Sequence, residues 1–264
     1  MGRRALSAHG GGQEPKATVA GRHLLKAKEP GGQQGFTQEK IRGLADEYAG
    51  KRGKTLNHDL GHIKADPVFG KKVADAYESM KHDPRHPEVR QAYGALHHET
   101  QQQLEHLLDN GLKITPIPEG QMSPYKTSKD LFRDLHENGH IHYFPTSSGF
   151  GNGETDHPLL NPMKLKNGAV LPANDALRLV HDLYGHAKGG AGFGPNGEEQ
   201  AYHSHAQMYS PLAQKALASE TRGQNSWVNF SSKVGELNRK DPANTVFADQ
   251  KAGILPDWTR KTQV

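Results

Sequence analysis

Apolar residues recurring every three or four positions, between capping residues and Gly or Pro stops, constrain this chain more than any other feature. Ile41, Leu44, Ala45 and Tyr48 follow Thr37 and end at Gly50. Val68, Phe69, Val73, Ala76, Tyr77 and Met80 follow Asp66-Pro67. After the break at His82–Pro87, Val89, Ala92, Tyr93, Leu96, Leu104, Leu107 and Leu108 run to Asn110-Gly111. Each is the period of an amphipathic helix with start and stop signals in place. Two short stretches read as strands, Leu112–Ile117 and His140–Phe144. Between them lies a helix capped by Thr127 or Ser128, carrying Leu131, Phe132 and Leu135 and ended by Asn138-Gly139. Strand, helix, strand in that order predicts a parallel βαβ unit. The expected fold class is mainly α (α+β), a helical domain with a small β element.

Residues 145–173 are rich in Gly, Pro, Asn and Ser and read as a long loop. Helices resume at Asn174 or Asp175, with Ala176, Leu177, Leu179, Val180 and Leu183 inward. They continue at Glu198–Tyr209 and again from Ser210-Pro211 to about Thr221. Residues 222–264 read as mixed loop and short elements.

Charge divides the chain in two. Residues 1–34 hold Arg3, Arg4, Lys16, Arg22, Lys26 and Lys28 against Glu14 and Glu29, which accounts for the whole net charge of +4. That segment is expected to be a disordered basic tail, and residues 35–264 a single metal-binding domain. Nucleic acid is not an expected partner except through the tail. The absence of cysteine excludes disulfides, thiolate metal sites and a cysteine nucleophile. No apolar run reaches the length of a membrane span, and no signal peptide is recognisable. A soluble protein of the cytoplasm is expected.

His181-Asp182-Leu183-Tyr184-Gly185-His186 holds two imidazoles five positions apart. On a regular helix they would diverge by roughly 140°. Gly185 is expected to let the helix unwind so that both reach one divalent ion. The spacing differs from the four-residue zinc-protease pattern. The third ligand is expected to be a carboxylate on a core-facing position. Glu220 fits, on the stripe of Leu212, Ala213, Ala216 and Leu217, because a buried carboxylate needs a cation. Glu198 is the rival, sharing an inward face with Ala201, Tyr202, His205, Met208 and Tyr209. If Glu220 is the ligand, Glu198 and His205 become partners that orient the ligands. Glu199 and His203 read as a sideways surface pair. After Glu220, Arg222 and Gln224 are expected to line the pocket, with Arg222 pairing a substrate carboxylate or phosphate.

Two histidines and one carboxylate with open positions suit non-heme Fe(II) that activates dioxygen, with zinc or manganese as other candidates. Pro172-Ala173-Asn174-Asp175 leading into His181–His186 resembles the iron motif of the pterin-dependent aromatic amino acid hydroxylases. The resemblance implies iron on His181, His186 and, at the glutamate's position, Glu220. Ala187-Lys188-Gly189-Gly190 departs from that family's continuation, and no residue is assigned to stack on a pterin or to hold an amino acid. The resemblance thus carries iron and a small-molecule or amino-acid-like substrate, and leaves the pterin uncarried.

Gly197-Glu198-Glu199, Glu220–Asn229 and Val246–Gly253 look like an uncharacterised family of phages and environmental sequences. That likeness implies a phage protein of the host cytoplasm or the virion. A metal-stabilised structural or interaction protein of a phage is the alternative to an enzyme. His58-Asp59 resembles the metal-binding dipeptide of HD-domain phosphohydrolases, a second alternative. His58 and His62, four apart, and His140 and His142, on one strand face, are further histidine pairs.

Overall fold

Thr37 opens the first helix as its position predicts, accepting a hydrogen bond from the Lys40 amide at 3.1 Å. The computed structural model describes residues 35–148, 150, 156–235, 238–240 and 244–261. The expected basic tail, residues 1–34, lies outside the described residues. Helix α1 (Gln38–Gly50) buries Ile41, Leu44, Ala45 and Tyr48. Asp66 caps α2 (Pro67–Ser79), accepting from Val68 N at 2.8 Å with Pro67 in the first turn. Such a cap contributes about 1 kcal/mol. The long α3 (Pro87–Asp109) turns Val89, Ala92, Tyr93, Leu96, Leu104 and Leu107 into the core.

Strands β1 (Lys113–Pro116) and β2 (His140–Tyr143) pair in parallel, with Ile114 opposite Ile141. Helix α4 (Ser128–Asn138) connects them, closing the expected βαβ unit. A Thr127–Asp130 capping box starts α4, and Gly139 at φ 60° ends it in the left-handed region that favours glycine.

The described residues between 156 and 173 hold more regular structure than their composition suggests. Strand β3 (Pro162–Lys164) pairs antiparallel with β4 (Val170–Pro172) across a turn containing Asn167-Gly168. These three-residue strands are too short to carry a legible alternation, although Asn-Gly is a hairpin signal. Neither Asn174 nor Asp175 caps the next helix, α5 (Ala173–His181), whose N-cap is Pro172. Asp175 is buried and accepts instead from Thr146 N at 2.7 Å and from the Thr146 hydroxyl, tying the preceding segment down.

Helix α6 spans Pro195–Ala206 and α7 spans Pro211–Ala218. The helix expected to stop near Thr221 continues. A π-helical turn, Ser219–Gly223, joins α7 to α8 (Gln224–Phe230). The core lies where α3 packs on α5 and α7, with Leu96, Leu104, Leu107, Leu177, Val180 and Leu217 fully buried. Beside it, α2 packs on α8 through Val73, Tyr77, Trp227 and Val228. The described residues contain no helix long and apolar enough to cross a membrane.

Gly223 marks where these two units meet. A β-carbon there would come within 2.7 Å of the Tyr77 ring and 2.9 Å of Leu255 Cδ1. Gly223→Ala is therefore expected to lower stability by about 1–3 kcal/mol through overpacking. Urea denaturation measures this, and an unchanged midpoint contradicts the packing argument.

Candidate metal centre

His181 is the last residue of α5, and the chain does not unwind after it. The helix widens into a π-helical turn, Asp182–Ala187, that contains His186. This corrects the expected unwinding at Gly185. A turn closed by i→i+5 bonds puts residues five apart on one side, so the two rings meet while the backbone stays helical. Their centroids are 5.1 Å apart and their planes perpendicular. Widening frees backbone carbonyls, and hydrogen bonds with α6 and α1 hold the turn. Ser204 Oγ donates to Tyr184 O at 3.0 Å, and buried Lys188 Nζ donates to Ser204 O at 3.0 Å. From α1, Gln38 Nε2 and Arg42 Nε both donate to Lys188 O, at 3.0 and 3.1 Å. Gly185 serves close approach: its β-carbon would lie 3.1 Å from His181 Nδ1 and 3.2 Å from Ala201 Cβ.

Glu198, in the first turn of α6, completes the cluster. A carboxylate suits that position because unpaired amides give a helix N-terminus partial positive charge. Glu198 Oε2 lies 3.5 Å from His186 Nε2 and 3.9 Å from His181 Nε2. Each of the three residues offers one donor within 4.8 Å of the others, and all three are buried. Two donors about 2.0–2.2 Å from a shared ion stand at most about 4.4 Å apart, so both measured separations admit one.

The remaining ring nitrogens are engaged in the way metal-bound imidazoles require. His186 Nδ1–H donates to Ala191 O at 3.2 Å. His205 Nε2–H donates to Gln103 Oε1 at 2.9 Å, which leaves Nδ1 of a neutral His205 as an acceptor. Burial, with His181 next, holds His205 well below the usual imidazole range, so it is neutral. His181 Nδ1, 3.2 Å from His205 Nδ1, must then be the donor. With Nδ1–H so engaged, each ligand histidine keeps Nε2, on the Glu198 side, as the nitrogen it can give to an ion once its proton is displaced. His205→Ala is expected to weaken metal binding roughly 10- to 100-fold by freeing the His181 ring. Metal titration of the chelator-stripped variant measures it, and unchanged affinity removes His205 from this role.

The electrostatics keep Glu198 anionic at neutral pH. Burial raises the Glu198 carboxyl, but His186 and His181 outweigh it and hold the group at about 2. Burial lowers His186 and Glu198 overcomes it, leaving a net rise, whereas burial keeps His181 below its ordinary value. Burial pushes the neighbouring Asp182 up to about 7, and it is not one of the converging donors. Glu198 Oε1 is buried without any hydrogen-bond partner. A buried carboxylate oxygen left unsatisfied is costly, and an ion among these donors would offset that cost. The residues present therefore fit a divalent cation.

Glu220, the expected third ligand, sits in a different cluster. It is buried as its stripe predicts, but its partners are protein groups. The Tyr93 hydroxyl donates to Oε1, Gln224 Nε2 donates to Oε2 at 2.9 Å, and His157 Nε2 lies 3.3 Å from Oε1. His157 Nδ1 accepts from Leu159 N, and its Nε2, on the Glu220 side, is buried without a hydrogen bond. Gln224 also donates to Gln250 Oε1 at 2.9 Å, which holds it in this cluster and away from a substrate-orienting role.

Arg222 is taken up by protein groups. It is buried, donating through Nε to Glu199 Oε2 at 3.1 Å and through Nη2 to Glu199 Oε1. Its Nη1 donates to Thr259 O at 2.5 Å and Lys261 O at 2.8 Å. Tyr202 and Phe69 flank the guanidinium. Glu199 and His203, read from the sequence as a surface pair, are buried with it, 2.9 Å apart. Their partner Arg222 comes from the π turn Ser219–Gly223, itself held by the C-terminal segment, which helical period alone could not reveal.

His58 pairs with Asp46 at 2.9 Å, and Asp59 accepts from Gly61 N within its own turn. Among the described residues neither joins a three-donor group; the one other such group is Asp134, His140 and His142. Gln103 was not singled out from the sequence. Its signal is a polar residue among Thr100, Leu104 and Leu107 on the buried side of α3. The Ala191 carbonyl has no sequence signal at all.

No family model, curated protein or solved structure matches the chain.

Proposed function

We propose that the protein binds a divalent metal through His181, His186 and Glu198 and is a non-heme Fe(II) enzyme of the hydroxylase or oxygenase type. The observation that carries this reading is the convergence of two imidazole nitrogens and one carboxylate with an unpartnered oxygen. Two imidazoles and one carboxylate are the donor set of iron sites that keep positions open. When bound, iron supplies the redox centre for dioxygen activation. The resemblance of His181–His186 to the pterin-dependent hydroxylases' motif supports the two histidines as iron ligands, while its glutamate position, Glu220, lies in another cluster. Burial of all three donors favours a small-molecule substrate, since a macromolecule could not approach them closely. In this reading Gln103 and His205 set the His181 ring, and Ala191 O sets the His186 ring.

Burial also favours a second reading, in which a metal clamps the π turn to α6 and only holds the fold. Structural sites are closed by protein ligands, while catalytic ones keep a position open. The two readings separate in one experiment. Protein prepared anaerobically without chelator is assayed for metal, loaded with Fe(II) and exposed to nitric oxide, a dioxygen surrogate needing an open position. An iron–nitrosyl electron paramagnetic resonance signal is expected. No bound metal overturns both readings, and bound iron without a nitrosyl signal overturns the catalytic one.

The choice of carboxylate is tested separately. Glu198→Gln is expected to lose the metal, because a neutral amide replaces the anionic donor. Glu220→Gln is expected to retain it. Metal content after gel filtration decides, and the opposite pattern would assign the site to Glu220.

A further inference from the structure

We propose that Asp134, His140 and His142 form a second, partly exposed transition-metal site at the end of the βαβ unit, with zinc as the cation it suits best. Each residue offers one donor, and the three donors lie within 4.8 Å of one another. The backbone brings them there. Asp134 is in the last turn of α4, and the left-handed Gly139 turns the chain directly into β2. Strand alternation then points His140 and His142 to one face, with ring centroids 4.4 Å apart.

The site is built rather than incidental. Asn138 Nδ2 donates to Asp134 Oδ1 at 2.7 Å, and the Tyr125 hydroxyl donates to Oδ2 at 2.6 Å. The same hydroxyl accepts from His142 N at 2.8 Å, so one phenol ties the carboxylate to the strand carrying the histidines. His140 Nδ1 lies 2.8 Å from Asp134 Oδ2, and its Nε2 lies 2.8 Å from Thr115 Oγ1. Neither ring nitrogen of His142 makes a hydrogen bond within the described residues, and its ring packs edge-on against that of His140. His142 is therefore a free nitrogen donor beside a pre-oriented histidine–carboxylate pair, the arrangement that second-sphere partners give zinc sites. The side chains of His140 and Asp134 are 18% and 16% exposed, which leaves room for solvent ligands and for exchange.

The test is a Zn²⁺ titration of the full, tag-free chain stripped with chelator, followed by calorimetry at neutral pH. Two equivalents are expected for the unaltered protein. His142→Ala is expected to lose one and keep the other, and Asp134→Asn to weaken the same one at least tenfold. His186→Ala is expected to lose only the equivalent at the buried site. Two equivalents persisting in both His142→Ala and Asp134→Asn overturn the proposal, as does a single equivalent that His186→Ala removes. A single equivalent removed by His142→Ala and untouched by His186→Ala upholds it while sinking the buried centre, so the two readings fail separately. Circular dichroism of the half-exposed His142→Ala variant confirms that the fold is retained.

Discussion

His186→Ala is expected to remove the buried metal and, with it, any metal-dependent activity. His186 supplies one of only three converging donors, and its Nε2 faces Glu198 Oε2 at 3.5 Å. Losing an outer partner typically costs 10- to 100-fold in affinity, and losing a ligand costs more, so a drop beyond roughly 100-fold is expected. The effect reaches stability. A ligand at a hundred times its dissociation constant stabilises the folded state by about 2.7 kcal/mol. For a domain of this size that corresponds to roughly 5–10 °C in melting temperature. The unaltered protein should therefore melt higher with metal than without, and His186→Ala should melt at the same temperature in both conditions. A metal-induced shift that survives the substitution sinks this centre. Affinity should also fall as pH drops through the raised His186 range, because protons compete for the same nitrogen.

Arg222→Ala is expected to be the most destabilising single change outside the apolar core. The guanidinium side chain is 1% exposed and makes a bidentate pair with Glu199 while holding the carbonyls of Thr259 and Lys261. Removing one partner of a buried pair leaves the other charge uncompensated, which costs about 3–5 kcal/mol. His203 still donates to Glu199, which places the result toward the lower end of that range. The C-terminal segment also loses its tie to α6. Equilibrium urea unfolding checks the magnitude. Metal binding by the folded variant at low temperature should be intact, because Arg222 touches none of the three donors. A change within about 0.5 kcal/mol, the size of an ordinary surface substitution, would mean that the pair is not holding this region. Selective loss of metal in a stable variant would instead make Arg222 part of the site.

Much of the fold was legible because it is local. Thr37, Asp66-Pro67, Thr127 and Gly139 sit at the helix boundaries their chemistry predicts. The parallel pairing of β1 and β2 followed from element order. What escaped the sequence were departures from a single period. The π turns at Asp182–Ala187 and Ser219–Gly223 each add a residue to a helix whose apolar spacing continues on both sides. Both contain a glycine where another segment packs close, but glycine alone does not distinguish a widened turn from an end. The β3–β4 hairpin was hidden by strands of three residues.

The sequence by itself placed His181 and His186 five positions apart and determined that the donors must be nitrogen and oxygen in a chain without cysteine; the π turn is what brings the two rings together. It also marked Glu198 and Glu220 as carboxylates on core-facing positions, and both are buried. Which of them meets the histidines is not a local property, because each satisfies its own helical pattern equally well. Tertiary packing decided it. Helix α6 lies against the π turn of α5 and delivers Glu198 there, while Tyr93 from α3 and His157 from the preceding loop surround Glu220. The same packing turned Arg222 from an expected substrate ligand into the buried partner of Glu199. Helical period selects the face on which a side chain lies, and only contacts between distant segments select what it meets.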